Sequence, residues 1–173
     1  MGPNAPATRE RVGHEELVAL LKLRQPGIQY RSHEAVFTCE QADQLFDDLP
    51  GTKAKNLLLK DRKGNRYILL CAAESRRVDL KILASTLGSS RLSMATNEEL
   101  ERLLGTESGA LSLLSLINDT QLRVEPILDA ELAQIDLMLC HPLSNRCTMA
   151  VDMRLLLQML DHSGHSARWI ALN

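Results

Sequence analysis

Aromatic residues are scarce in this chain of 173 residues: one Trp, two Tyr and two Phe, 3% in all. A chain so poor in rings does not build the platform on which single-stranded nucleic acids stack successive bases. Its core has to come from Leu, Ile, Val, Met and Ala. Charge of one sign is also missing: 20 Lys and Arg stand against 22 Asp and Glu, a formal net charge of -2. That removes the long-range attraction that proteins wrapping nucleic acid draw from a large positive excess. The four cysteines, Cys39, Cys71, Cys140 and Cys147, include no CxxC pair, so reduced thiols in a cytoplasmic protein are the expectation. Cys140, His141 and Cys147 offer three metal ligands, two of them adjacent, and adjacent residues rarely close one tetrahedral site. No metal and no cofactor is expected. No apolar run approaches the roughly twenty residues of a membrane span, and residues 1–12 lack the apolar stretch of a signal peptide. Paired carboxylates, a Ser-His-Asp order and a P-loop are absent as well, so hydrolases built on a nucleophile and its base are not supported.

What is present is 45% hydrophobic and 24% charged, enough for one core and short for two. The expectation is a flexible extension over residues 1–13 and a single domain over 14–173. Apolar spacing predicts a helix over 14–25, stopped by Pro26-Gly27, and a short strand over 28–32. Thr38 with Gln41, and Thr96 with Glu99, have the spacing of capping boxes and open helices that run to Phe46 and to Gly105. Further helices are expected over 77–87, over 129–134 and around Leu155, Leu156, Met159 and Leu160. Strands are expected over 91–93, 122–128, 136–140, 145–150 and 167–172. Strands cluster in hairpin-like groups with helices interspersed, which is an α+β arrangement and not strict βαβ alternation. His162 and His165 fall near a helix end, where a cation suits the dipole, and take no functional role.

One stretch stands out: GTKAKNLLLKDRKGNRYILL, beginning at Gly51. Three leucines, a polar turn and a returning apolar run read as a β-hairpin, with Lys55 and Asn56 where the chain enters the buried strand. Polar heads at the rim of a core ordinarily need a reason. Lys53, Lys60, Arg62, Lys63 and Arg66 crowd the same hairpin, a patch able to hold a few phosphates.

This hairpin resembles the signature of the YbaK/ProX family, the free-standing relatives of the editing domain of bacterial prolyl-tRNA synthetase. It is most similar to the branch that deacylates alanyl-tRNA(Pro). His33-Glu34-Ala35-Val36-Phe37-Thr38 upstream, Leu116-Ile117-Asn118-Asp119, and His141-Pro142-Leu143 with Asn145 and Thr148 agree with it in order. The resemblance implies a curved mixed sheet or barrel surrounded by helices. It implies a pocket between the hairpin and the 109–118 loop, in which Lys55 anchors the acceptor-end phosphate or ribose and Asn56 hydrogen-bonds the substrate. Backbone donors around Ser112, Leu113, Leu114 and Ser115 would meet the ester carbonyl, and His141, Val36 and Phe37 would line the wall. Lys53, Lys60, Arg62 and Lys63 would touch tRNA. The implied partners are the acceptor end of tRNA(Pro) and a prolyl-tRNA synthetase. Leu113 stands where the family has proline and Ser115 where it has a second glycine, a change in how rigid and open the loop can be. Deacylation of another mischarged tRNA (Ser, Thr or Cys) and a non-catalytic aminoacyl-tRNA or synthetase-binding module are therefore the alternatives.

Overall fold

The computed structural model describes residues 10–35 and 39–172. Val36, Phe37, Thr38 and most of the expected N-terminal extension lie outside the described residues. At the end of that extension Val12 is held: its N–H donates to Asn118 Oδ1 at 2.8 Å, and Asn118 Nδ2 donates to the Val12 carbonyl at 3.1 Å.

In chain order the elements are α1 (His14–Arg24), β1 (Tyr30–Ser32), α2 (Cys39–Phe46), β2 (Thr52–Lys60), β3 (Tyr67–Ala73), α3 (Leu80–Thr86), β4 (Ser93–Met94), α4 (Asn97–Leu104), β5 (Val124–Asp129), β6 (Leu137–Cys140), β7 (Cys147–Asp152), α5 (Met153–His162) and β8 (Arg168–Ile170). Short 3-10 helices at Ser108–Ala110, Leu113–Asn118 and Ala130–Gln134 fill the connections. The strands form one mixed sheet in the order β1-β7-β6-β2-β3-β5-β8, with β4 joined to β2 alone. The fold is therefore α+β.

Local chemistry accounts for the boundaries. The Thr96–Glu99 capping box opens α4, and Gly105 closes it at φ 64, a left-handed angle a Cβ would strain. The helix expected from residue 77 starts at Leu80 instead, because the Asp79 carboxylate accepts from the N–H groups of Lys81 and Ile82 and fixes the first turn there.

Side chains alternate along a strand, so Ala54, Asn56 and Leu58 share one face of β2, and Lys53, Lys55, Leu57 and Leu59 the other. Leu58 packs with Leu69 and Cys71 of β3 and Met138 and Cys140 of β6 in the main core, under α1, α4 and α5. Leu59 packs on the opposite face with Ile68, Leu70 and Ala72 against Leu83 and Ala84 of α3. Leu139 and Ala150 continue that second face and meet Leu49.

His165, expected to be an unremarkable helix-end residue, is buried and contacts Asp119 Oδ2 through Nε2 at 2.9 Å. Burial would raise the Asp119 pKa, but this bond and those from the Arg123 and Val124 N–H groups outweigh it and hold the carboxyl below its usual range. The pair ties the end of α5 to the end of the Leu113–Asn118 segment.

Candidate functional site

The site grows out of a change of partner along one edge of β2. Thr52 and Lys53 pair with Met138 and Leu139 of β6, whereas Leu59 and Lys60 pair with Met94 and Ser93 of β4. Between these pairings β2 has no partner strand on that edge among the described residues, and the sheet forks. The ladder shows which peptide groups face the fork. The Lys53 carbonyl accepts from Glu74 N–H on the β3 side, and the Leu58 carbonyl accepts from Ala95 N–H on the β4 side. Strict alternation between them turns Lys55 and Leu57 toward β3 and directs the N–H and C=O of Asn56 into the fork.

The Asn56 side chain is half-buried, and its Oδ1 is fully buried with no hydrogen-bond partner among the described residues. Such an atom costs about 1–3 kcal/mol. Lys55 is half-buried on the other face and makes no ion pair among the described residues. Lys55 stands two residues past the last β2–β6 pair, Lys53–Leu139, and His141 stands two residues past it on the β6 side of the fork. Likewise the Cys140–Met149 register sets His141 beside Thr148.

The His141-Pro142-Leu143 turn is clamped from several sides. Ser112 Oγ and the Leu143 N–H both donate to the His141 carbonyl, each at 2.9 Å, and the Pro142 carbonyl accepts from His14 Nδ1 at 2.6 Å. Leu143 takes φ 60, a left-handed angle that is uncommon for a branched side chain and that the clamp maintains. His141 Nδ1 lies 3.1 Å from the Cys147 carbonyl and 3.3 Å from Thr148 Oγ1. Burial pushes the His141 pKa below the ordinary histidine value, opposed by the Cys147 carbonyl and reinforced by His33. His33, entering from the end of β1, places Nε2 3.0 Å from Thr148 Oγ1, with its ring centroid 6.4 Å from that of His141.

The Leu113–Asn118 segment is not an open loop. Ser112, Leu113, Leu114 and Ser115 are buried, the two leucines in the main core. The Ser112 N–H donates to Ser115 Oγ, the Leu114 N–H to Ser112 Oγ and the Ser115 N–H to the Ser112 carbonyl. Three of the donors expected to face an ester carbonyl are thus used within the segment. Serine in place of glycine supplies the hydroxyl that closes this box, and leucine in place of proline fills the core beneath it. Ser112 reaches the site through the His141 carbonyl it holds.

The basic hairpin is not one patch. Lys60 Nζ pairs with Glu99 at 2.8 Å, Arg66 Nε with Glu125 at 2.7 Å and Lys53 Nζ with Asp47 at 3.6 Å. Arg62 and Lys63 stand exposed at the turn. Lys60 begins that end of the hairpin five residues from Lys55, about 17 Å along an extended strand. The thiols of Cys71, Cys140 and Cys147 are all pushed upward by burial, Cys71 to about 12, which disfavours their thiolate forms at neutral pH. Two residues that matter to the geometry, His33 and Thr148, stand in the segments that carry the family resemblance but received no role from it. Among the described residues, no helix is long and apolar enough to cross a membrane.

Comparison with known proteins identifies the family and the fold. Residues 33–159 match the aminoacyl-tRNA editing domain family. Over 155 residues the chain is 29% identical to the prolyl-tRNA editing protein ProX of Acetoanaerobium sticklandii, covering 88% of this chain and 94% of that protein. Over 121 residues it is 34% identical to the multifunctional Ser/Thr-tRNA deacylase ProXp-y of Escherichia coli K12, covering 68% of this chain and 71% of the relative. A solved structure of a candidate trans-editing enzyme for prolyl tRNA synthetase has the same fold, with a TM-score of 0.67 at 18% identity over 95% of this chain and 99% of the other. A lysine-asparagine hairpin at a forked sheet edge and a clamped histidine turn thus lie inside a match spanning most of the chain: the chain belongs to the aminoacyl-tRNA editing domain family, within its YbaK/ProX group of editing proteins.

Proposed function

We propose that the protein is a trans-editing deacylase that hydrolyses the ester of mischarged tRNA(Pro), with alanyl-tRNA(Pro) as its substrate. The observation that carries this reading is the fork itself: Lys55 and Asn56 follow the last β2–β6 pair on one side, His141 follows it on the other, and the Asn56 amide oxygen is buried without a partner among the described residues. An aminoacyl ester is already activated, so its hydrolysis needs a positioned water and stabilisation of the developing oxyanion more than a strong nucleophile. In this scheme Lys55 anchors the terminal phosphate or ribose, and the Asn56 side chain hydrogen-bonds the substrate. The Asn56 N–H takes the oxyanion contact for which the 112–115 segment has few donors left. A hydroxyl of the terminal adenosine orients the water. The water oxygen bonds to the carbonyl carbon, the ester C–O bond breaks, and the sugar oxygen leaves with a proton. A compact pocket admits alanine while excluding proline by shape. One methylene is worth only about 1–3 kcal/mol of discrimination, which is why editing exists as a separate sieve. The expected partners are the tRNA acceptor end and a prolyl-tRNA synthetase whose errors are corrected, and the expected compartment is the cytoplasm.

A second reading keeps the chemistry and changes the amino acid. The polar wall of His33, Thr148 and His141 offers hydrogen bonds to a side-chain hydroxyl, which favours serine or threonine.

Single-turnover deacylation of alanyl-, seryl-, threonyl- and cysteinyl-tRNA(Pro) separates these readings. Loss of alanine from the wild type, reduced at least 100-fold in Lys55→Ala without a change in melting temperature, is the expected result. Faster loss of serine or threonine moves the assignment to the second reading. Hydrolysis that survives intact in Lys55→Ala removes the lysine from the mechanism, and no hydrolysis of any ester points to a binding module.

A further inference from the structure

We infer that the cleft at the C-terminal end of α4, between Arg11, Arg102 and Arg123, is a binding site for a phosphate group. The cleft encloses about 340 Å³ and has these three guanidiniums in its lining. Tyr67 gathers two of them: Arg102 and Arg123 lie 5.9 and 6.0 Å from its ring centroid. Arg102 Nη2 donates to the Tyr67 hydroxyl at 3.1 Å, and the Arg123 side chain makes no hydrogen bond among the described residues. A guanidinium carries five N–H donors, so most of those of Arg102 and Arg123 have no acceptor among the described residues.

The carboxylates beside the cleft are engaged elsewhere. Glu101 pairs with Arg11 at 3.4 Å. Asp119 is 3% exposed, and its oxygens face the N–H groups of Arg123 and Val124 and the Nε2 of His165. Neither carboxylate meets the Arg102 or Arg123 guanidinium. A helix C-terminus ordinarily repels an anion through its open carbonyls. Here Arg11 Nη2 donates to the Arg102 carbonyl and Asn118 Nδ2 to the Leu104 carbonyl, which covers two of them. Phosphate is the ligand chemistry that matches: a carboxylate has two oxygens and suits one planar fork, whereas the oxygens of a phosphate meet two or three forks at once. The site is separate from the fork in the sheet. Lys60 pairs with Tyr67 and shares its face of the hairpin, the face opposite that of Lys55 and five residues along the strand from it. A phosphate held here is therefore distinct from one held at Lys55, and its source is either the backbone of a tRNA body or a free phosphate compound.

Inorganic phosphate is the probe, titrated at constant ionic strength against chloride at neutral pH, with the arginine Nε–H signals followed by 15N–1H NMR and the affinity read by calorimetry. Saturable shifts of the Arg102 and Arg123 signals are expected. The affinity is expected to fall about tenfold in Arg102→Gln with Arg123→Gln, the effect of losing hydrogen bonds to a charged group, and to stay unchanged in Arg62→Ala with Lys63→Ala. Should the double variant not fold, Arg123→Gln alone, which breaks no hydrogen bond of that side chain among the described residues, is expected to weaken phosphate about fivefold. Uncharged tRNA(Pro) separates the two sources. Displacement of phosphate by tRNA, with tRNA affinity lowered and its salt slope flattened by about one to two in the double variant, makes the group a backbone phosphate. Phosphate binding lost in the double variant while tRNA affinity holds makes it a free phosphate compound. Absence of a shift at either arginine overturns the inference, as do shifts that chloride reproduces or an affinity that the double variant leaves unchanged. None of these readouts uses an aminoacyl ester, so a protein that hydrolyses no ester counts against the proposed function and leaves the phosphate site to be judged by its own titration.

Discussion

At the scale of single residues, Lys55 and Asn56 are neighbours in sequence with opposite situations in space. Strand alternation sends their side chains to opposite faces of β2, the lysine toward the His141 and Thr148 row and the asparagine toward the main core. Asn56→Leu tests what the amide does. Leucine keeps the branched four-atom skeleton and removes a buried oxygen that lacks a partner among the described residues, so the melting temperature is expected to stay level or rise, by up to about 1 kcal/mol in stability. Deacylation is expected to fall at least tenfold. Thermal unfolding beside single-turnover rates reads both, and a destabilised but fully active variant would make the amide a structural group. The pair was legible in the sequence as a motif, but its facing was not, because facing follows from the register with β6. Thr148 and His33 were harder still: they meet across 115 positions of chain, and neither residue type signals a role alone.

At the scale of elements, the hairpin is fastened to α4 by one carboxylate. Glu99 accepts from Lys60 Nζ at 2.8 and 3.0 Å, from the Tyr67 hydroxyl at 3.0 Å and from the Thr96 N–H at 2.8 Å. Partial burial would raise its pKa, but these bonds prevail and bring it to about 2 from the usual 4.5. A carboxylate whose folded pKa is depressed contributes stability above its unfolded pKa and loses it as pH falls through the folded value. The contribution, about 1–2 kcal/mol with solvent screening taken into account, is therefore full above pH 4.5 and gone near pH 2. Glu99→Gln is expected to be less stable than wild type by that amount at pH 7, with the two converging at pH 2. Urea unfolding across that range measures it, and a constant difference would assign the loss to packing. The capping box in this node was readable from Thr96 and Glu99 alone, since its spacing is local. That the same Glu99 also grips the hairpin was not, because Lys60 and Tyr67 reach it only after the sheet forms. The same limit explains the 112–118 segment, whose helical turns depend on a hydroxyl-to-backbone box and not on apolar periodicity.

At the scale of the whole molecule, the distribution of unpaired charge decides how the protein meets a polyanion. The hairpin looks uniformly basic in sequence, but its carboxylate partners come from elsewhere: Asp47 for Lys53, Glu99 for Lys60, Glu125 for Arg66. Arg62 and Lys63 remain exposed at the turn. On the α4 side, Arg102 and Arg123 flank the Tyr67 ring at 5.9 and 6.0 Å and make no ion pair among the described residues. With Arg62 and Lys63 as the exposed cations of the hairpin that make no ion pair among the described residues, tRNA affinity is expected to fall gently with salt. Contact with about two to three phosphates gives a log–log slope of roughly -1.5 to -3. Arg62→Ala with Lys63→Ala is expected to weaken binding and to flatten that slope by about one to two. The single-turnover rate at saturating protein should not change, since neither side chain is near Lys55. Binding isotherms at several salt concentrations measure both quantities. A slope unmoved by the hairpin-tip variant but flattened by Arg102→Ala with Arg123→Ala would place the tRNA backbone along α4. A slope unmoved by either would leave Lys55 and the fork to hold the acceptor end through contacts other than counterion release.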